Sequence, residues 1–251
     1  MTDSKAEEHR RRAIRGKLAS LDPASRASAI PTGFCALDQA LDGGFPRRAI
    51  SELFGPSSSG KTTLALQWVA HLQSQGLTAA WVDADHTFDP GYAAALGVAL
   101  DGIPLARPDS TEQALEMVRR LVLSGAVDAV ILDSAAALAP AVEQGVGLAG
   151  GAGLHSRVLA SGLRSLAMAL RKTDTAVLFL NQTRSRLQAS AGELETSAGG
   201  PPLKLHAALR LVLEPLDGAR IRFRTLKNKA SGAFRDGLLR RADPLGFVRT
   251  P

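Results

Sequence analysis

The segment Gly55-Pro56-Ser57-Ser58-Ser59-Gly60-Lys61-Thr62 fits the pattern G-x-x-x-x-G-K-[ST] and lies between two stretches of different periodicity. Before it, Ala49-Ile50-Ser51-Glu52-Leu53-Phe54 reads as a strand; after it, Thr63-Leu64-Ala65-Leu66-Gln67-Trp68-Val69-Ala70 reads as a helix. Strand, glycine-bounded loop and helix in that order commit the chain to an α/β architecture. The two glycines let the backbone wrap around an anion, so that successive N–H groups and the positive end of the helix face it. Lys61 is then placed to reach β- and γ-phosphates, and the Thr62 hydroxyl to hold Mg²⁺. A nucleoside triphosphate is the expected ligand, with contacts from Gly55 through Thr62 and from the adjoining Thr63.

The remaining pattern agrees with that architecture. Apolar runs at 79–82, 126–132 and 176–180 are short and β-compatible, whereas 111–124 and 154–171 have helical spacing. Such alternation predicts a mostly parallel twisted sheet with helices on both faces. Beyond residue 204 two alternating runs, 207–213 and 220–226, flank Glu214-Pro215-Leu216-Asp217-Gly218 and read as an antiparallel hairpin at the sheet edge. A hydrophobic content of 45% over 251 residues supports one extensive core. No apolar leader or long apolar run is present, so a soluble cytoplasmic protein without a membrane span is expected. The lone Cys35 cannot form an intramolecular disulfide, and its setting Phe34-Cys35-Ala36-Leu37 predicts a packed thiol.

Charge is unevenly placed. Residues 1–30 carry seven Lys/Arg against four Asp/Glu, and residues 203–251 carry eleven against four, around a more acidic middle. The basic tail suits nucleic acid, although solvated outer strands carry such runs as well. Carboxylates fall where nucleotide chemistry needs them. Asp133 ends the 126–132 strand, the position from which ligands are approached in open α/β sheets, and can orient Mg²⁺ beside Thr62. Asp83 and Asp85 end the preceding strand, where an acidic side chain can polarise an attacking water. For His86 a hydrogen-bonded structural role stands beside a catalytic one.

Taken together, residues 54–64, Val82-Asp83-Ala84-Asp85-His86-Thr87-Phe88-Asp89-Pro90, Ser124-Gly125-Ala126-Val127-Asp128, Asn181-Gln182, Gly199-Gly200 with Leu203-Lys204, and Lys227-Asn228-Lys229 resemble the RecA recombinase family, from Pro31 to about Phe234. The resemblance implies a RecA-like P-loop NTPase core, residues 31–251, preceded by a basic helix and linker in residues 1–30. It implies ATP bound with Mg²⁺ between adjacent subunits of a filament or ring on single-stranded DNA. Lys61 and Thr62 keep their phosphate and metal roles, and Asp133 becomes the second metal carboxylate. Asp89 and Tyr92 match adenine contacts, and Gln182 the γ-phosphate sensor. Lys227 and Lys229 match cations supplied to ATP by the neighbouring subunit, which would stabilise charge on the transferring phosphoryl group.

DNA contacts are implied in two loops, near 143–153 and 183–202. Arg184, Arg186 and Lys204 can meet phosphates, with Gly199 and Gly200 in the second loop, and Arg157 and Arg164, seven apart, share a helix face beneath the first. Three departures qualify the resemblance. Ser190 and Ala191 stand where the family has bulky wedges between bases, so strand exchange is expected to be weak. Asp85 replaces a glutamate one methylene longer, a displacement of about 1 Å that can cost roughly 100-fold in rate, so hydrolysis is expected to be slow. The chain ends at Pro251, before the family's C-terminal domain. The reading is therefore a slow DNA-dependent ATPase of DNA damage repair, recombination and the SOS response. The alternative is an accessory docking protein of a translesion-synthesis system that binds a polymerase or RecA.

Overall fold

The computed structural model describes residues 28–138, 151–184, 196–198, 200–242 and 245–249. Its centre is set by strands with no polar face. In β3 (Ile50–Gly55), β4 (Ala79–Asp83) and β6 (Ala129–Asp133) every residue is buried, which only a strand covered on both sides can satisfy. With β7 (Ala176–Arg184) they pair in parallel in the order β3-β7-β6-β4, and β5 (Leu105–Ala106) closes that edge. The strand order runs out of chain order beside β3, because β7 arrives last and inserts between β3 and β6. That reversal opens a crevice at the carboxyl ends of these strands.

Helices cover both faces. On one side lie α1 (Cys35–Leu41), α2 (Lys61–Ser74) and α3 (Pro90–Ala95), whose core includes Trp68, Phe45 and Leu53. On the other lie α4 (Thr111–Ser124), α5 (Gly151–Leu170) and α6 (Pro201–His206), packed on Val130, Leu132 and Phe179. α4 illustrates how sequence fixes such an element. The Ser110 side chain accepts a hydrogen bond from Gln113 N at its start, Gly125 ends it in a left-handed turn, and Ala114, Leu115, Val118 and Val122 form the buried stripe. β1 (Ala29–Ile30) and β2 (Phe45–Pro46) make a separate antiparallel ribbon around α1.

The far edge carries the expected antiparallel hairpin and one strand more. β9 (Leu209–Pro215) runs parallel to β3, and β10 (Arg220–Asn228) turns back antiparallel to it. β11 (Asp236–Arg240) adds a further antiparallel strand that the sequence pattern had not revealed. Gly151 to Gly153, expected in a loop, are the first residues of α5. Cys35 corrects a second expectation, since it is exposed rather than packed. The buried residues of α1 are Leu37, Ala40 and Leu41, so Cys35 at its first position falls on the outer side, where Gln39 Nε2 lies 3.4 Å from its sulfur. Among the described residues no helix is long and apolar enough to cross a membrane.

Phe179 sits on β7 with 0% exposure, between strands that cannot close over a void. Phe179→Ala is expected to cost about 3–5 kcal/mol, whereas Met168→Ala, at 63% exposure, should stay within about 0.5 kcal/mol. Urea unfolding of both variants checks this.

Candidate nucleotide site

β3 delivers the chain to the loop at Gly55, where a Cβ would stand 2.4 Å from the Leu213 carbonyl oxygen. Gly60 closes the loop at φ +88, a conformation that disfavours side chains, and its own Cβ would meet the Phe247 ring at 2.5 Å. Both glycines are thus required by close approach as well as by backbone shape. Gly60 caps α2 without a side-chain partner, so the first N–H groups of this helix of 14 residues turn towards the loop's hollow. Lys61 Nζ donates to the Gly55 and Pro56 carbonyls at 3.1 and 2.7 Å, with Ser59 Oγ at 3.4 Å. Burial lowers its pKa, and the carboxylates Asp133 and Asp85 act against that shift.

Thr62 Oγ1 donates to Asp133 Oδ2 at 3.0 Å across 71 positions of sequence. The expected pairing of loop hydroxyl and strand-end carboxylate is therefore present. Asp133 is only 8% exposed, and its pKa is pushed up to about 6, chiefly by burial, with the nearby Asp85 and Asp83 adding to the rise and Thr62 and Lys61 opposing it. Two hard oxygen donors in a crowd of carboxylates form a set that suits Mg²⁺, which keeps most of its remaining ligands as water or phosphate. Among the described residues no group of three or more His, Cys, Asp or Glu forms a protein-only metal cage.

The other predicted residues differ in what they touch. Thr63 Oγ1 and Tyr92 Oη share a hydrogen bond of 2.6 Å, and Asp89 caps α3 by accepting from Tyr92 N at 3.0 Å, so these three adjoin the loop. Gln182 is exposed near the end of β7, in register with Gly55 on β3. Asp85 accepts from Ser134 N at 3.2 Å and from Ser134 Oγ at 3.1 and 3.2 Å, a partner that sequence reasoning missed. Asp83 faces inward at 1% exposure, where Thr87 N, Phe88 N and Arg107 Nε all donate to it; its work is to hold the turn after β4. His86 bonds the Pro108 carbonyl at 3.2 Å, which fits the structural role weighed for it.

Lys227 and Lys229 lie on or beside β10, separated from β3 by β9, so the fold does not bring them to their own loop. Lys227 Nζ donates to the Lys204 and Leu205 carbonyls at 2.7 and 3.1 Å, near the end of α6. Burial, then Lys229 and Arg210, lower its pKa. Arg157 and Arg164 are both exposed on α5. Arg164 belongs to a basic cluster that sequence did not reveal: burial lowers the pKa of His206, and Arg164, Lys229 and Lys227 lower it further. Gly200, at φ 71, leads into Pro201 and α6. Arg186, Gly199 and the side chain of Arg184 lie outside the described residues, as do 143–150 and 185–195 of the two loops.

One more contact set had no sequence signature. Gln67 on α2 grips the backbone of Phe247, donating to its carbonyl at 3.0 Å and accepting from its N–H at 2.7 Å, while Arg241 donates to the Ser58 carbonyl at 3.0 Å. The segment after β11 thus braces the phosphate loop from behind.

The family model described as the RecA N-terminal domain matches residues 9–239 of this chain. The chain belongs to the RecA family. Protein RecA of Gloeobacter violaceus is 41% identical over 220 residues, which cover 84% of this chain and 60% of that relative. Protein RecA of Bacillus pumilus is 43% identical over 222 residues, covering 84% and 64%, and that of Thermus thermophilus 42% over 229 residues, covering 86% and 67%. The chain therefore spans about 60 to 67% of the length of these RecA relatives.

The raised pKa of Asp133 has a consequence for stability. Its folded pKa of about 6 lies above the ordinary 3.8, so the folded state holds the proton more tightly than the unfolded chain does. The burial penalty is full above about pH 6 and is relieved as pH falls towards 4. Asp133→Asn should raise the stability of the nucleotide-free protein at pH 7.5 by about 1–3 kcal/mol and flatten its slope between pH 6 and 4. Urea titrations across that range test it.

Proposed function

We propose that this RecA-family chain binds ATP with Mg²⁺, hydrolyses it slowly, assembles head to tail when ATP is bound, and holds single-stranded DNA in DNA repair and recombination. The observation that carries the nucleotide half is the Thr62–Asp133 bond of 3.0 Å beside the Lys61 loop. That arrangement offers anion donors, a cation and a metal's oxygen ligands side by side. Thr62 and Asp133 would hold Mg²⁺, which would supply withdrawal of charge from the phosphates. Lys61 would exchange its carbonyl partners for phosphate oxygens, and the α2 N–H groups would fix their orientation. Thr63, Asp89 and Tyr92 would border the base, and Gln182 would face the terminal phosphate from the end of β7.

Hydrolysis needs a polarised water, for which Asp85 is the candidate. Both of its carboxylate oxygens already accept from Ser134, which leaves them less free to polarise a water and supports slow turnover. The alternative is an accessory docking protein of a translesion-synthesis system that binds a polymerase or RecA. For DNA, exposed Arg157 and Arg164 support phosphate contacts that neglect sequence. With Ser190 and Ala191 in the second loop, strand exchange should be far weaker than binding.

Steady-state ATPase assays with and without single-stranded DNA test the reading. Lys61→Ala is expected to lose nucleotide-dependent behaviour, and Asp85→Glu to raise turnover by extending the carboxylate. Unstimulated wild-type turnover with no DNA binding at low salt would shift the balance to docking. Lys61→Ala mixed with Lys227→Ala should recover part of the activity, because one mixed interface pairs an intact loop with an intact lysine. Absence of recovery in demonstrably mixed assemblies would remove the trans role.

A further inference from the structure

β3 carries a carboxylate where its neighbours are apolar. Glu52 is 0% exposed, and each of its oxygens is engaged: Oε2 accepts from Arg210 Nε at 2.6 Å, and Oε1 from Asn181 Nδ2 at 2.9 Å. A buried ion pair is seldom an efficient way to stabilise a core, because desolvation offsets the attraction, so its placement asks for another account. The partners' further bonds supply one. Asn181 Nδ2 also reaches the Ala198 carbonyl at 2.9 Å, Asn181 Oδ1 accepts from Gln182 N at 2.9 Å, and Ala198 N donates to the Gln182 carbonyl at 2.9 Å. Both backbone groups of Gln182 are thereby held.

Arg210 extends the set to the other side. Its guanidinium lies 4.8 Å over the Phe54 ring, just before the phosphate loop, and its Nη2 donates to Ser197 Oγ at 3.2 Å on β8 (Thr196–Ser197). In sheet register Arg210 stands between Glu52 on β3 and Lys227 on β10, so the three side chains form a row on one face. Arg210 disfavours the charged form of Lys227 and Glu52 favours it. The α6 carbonyls that accept from Lys227 come four to seven residues after Ala198 and Gly200 in the chain, so the row returns to the segment from which it began.

We propose that the Glu52–Arg210 pair is a positioning device that joins Gln182, the β8 return limb of the second loop and Lys227 into one unit, so that nucleotide state and DNA affinity change together. This rests on the function proposed above. Glu52 and Arg210 touch no reacting atom; they act through Gln182 and Lys227. A pair that served only to brace the core would bond to core residues, whereas here the bonds end on Asn181 of the sensor strand and Ser197 of the loop's return limb, with Lys227 beside Arg210 in sheet register.

Glu52→Gln keeps size but puts an amide N–H against one of two donors, Arg210 Nε or Asn181 Nδ2. Arg210→Lys keeps charge but cannot reach Glu52 and Ser197 together. For each variant, affinity for labelled oligo(dT) is measured with a non-hydrolysable ATP analogue and with ADP, beside nucleotide affinity without DNA and thermal unfolding. Wild type is expected to bind DNA about 10-fold or more tightly with the analogue, within the usual range of coupling between sites. Both variants should fall to within about 2-fold while nucleotide affinity changes less than about 3-fold. A folded variant that keeps the wild-type ratio overturns the proposal. So does a parallel loss of stability and nucleotide affinity with the ratio intact, which is the signature of a core brace. Amide hydrogen exchange at Ala198, with analogue against ADP, separates this from the functional reading. Nucleotide-dependent protection in wild type that is lost in both variants supports the clamp even where DNA fails to bind, whereas wild-type exchange that ignores nucleotide overturns it.

Discussion

Two-sided burial of the β3-β7-β6-β4 block governs what the rest of the molecule can do. Strands covered by helices on both faces have no room for unpaired charge along their length, so free carboxylates and amides collect at the strand ends. Asp83 and Asp133 close β4 and β6 in register with each other, and Gln182 stands level with Gly55. The insertion of β7 between β3 and β6 then turns that row of ends into a crevice, with α2 aimed into it. Position in the sheet thus decides chemistry before any side chain is chosen.

Crowding at those ends is itself a source of function. Burial raises the cost of ionising Asp133, and the neighbouring Asp85 and Asp83 add to it. Such a cluster is tolerable only where cations answer it, and Lys61 does so in part. The apo protein therefore carries stored unfavourable electrostatics beside the phosphate loop, which a divalent ion bound with nucleotide would relieve. On the function proposed above, stability and ligand affinity are set against each other at this one position.

The parts legible in the sequence are those carried by local order. The phosphate loop names its own residues, because fixed spacing between glycines, lysine and threonine is what the geometry needs. Asp133 was legible at one remove, through the rule that ligands meet strand ends. Glu52 gave a signal that went unread, a carboxylate within an apolar strand, but its answering cation could not be named. Arg210 becomes its neighbour only because β9 pairs with β3, and no local pattern states which strands adjoin. Cys35 was misread because an apolar setting shows that a helix has a buried side without showing which residues face it. β11 escaped because Asp236 and Gly237 at its start weaken the strand pattern, and pairing with β10 supplies what propensity lacks.

The hold of Lys227 on the end of α6 carries a consequence for assembly. A cation cannot serve two sets of oxygens at once. If Lys227 reaches a neighbouring subunit's phosphates, it must first leave the Lys204 and Leu205 carbonyls, so association exchanges a cap within one chain for a contact between two. A lone subunit keeps its own helix terminated; a subunit in an assembly gives that terminus up, and α6, the short helix that follows the second loop, is left freer to shift. The energy of joining neighbours would in that way go partly into loosening the segment proposed above to meet DNA.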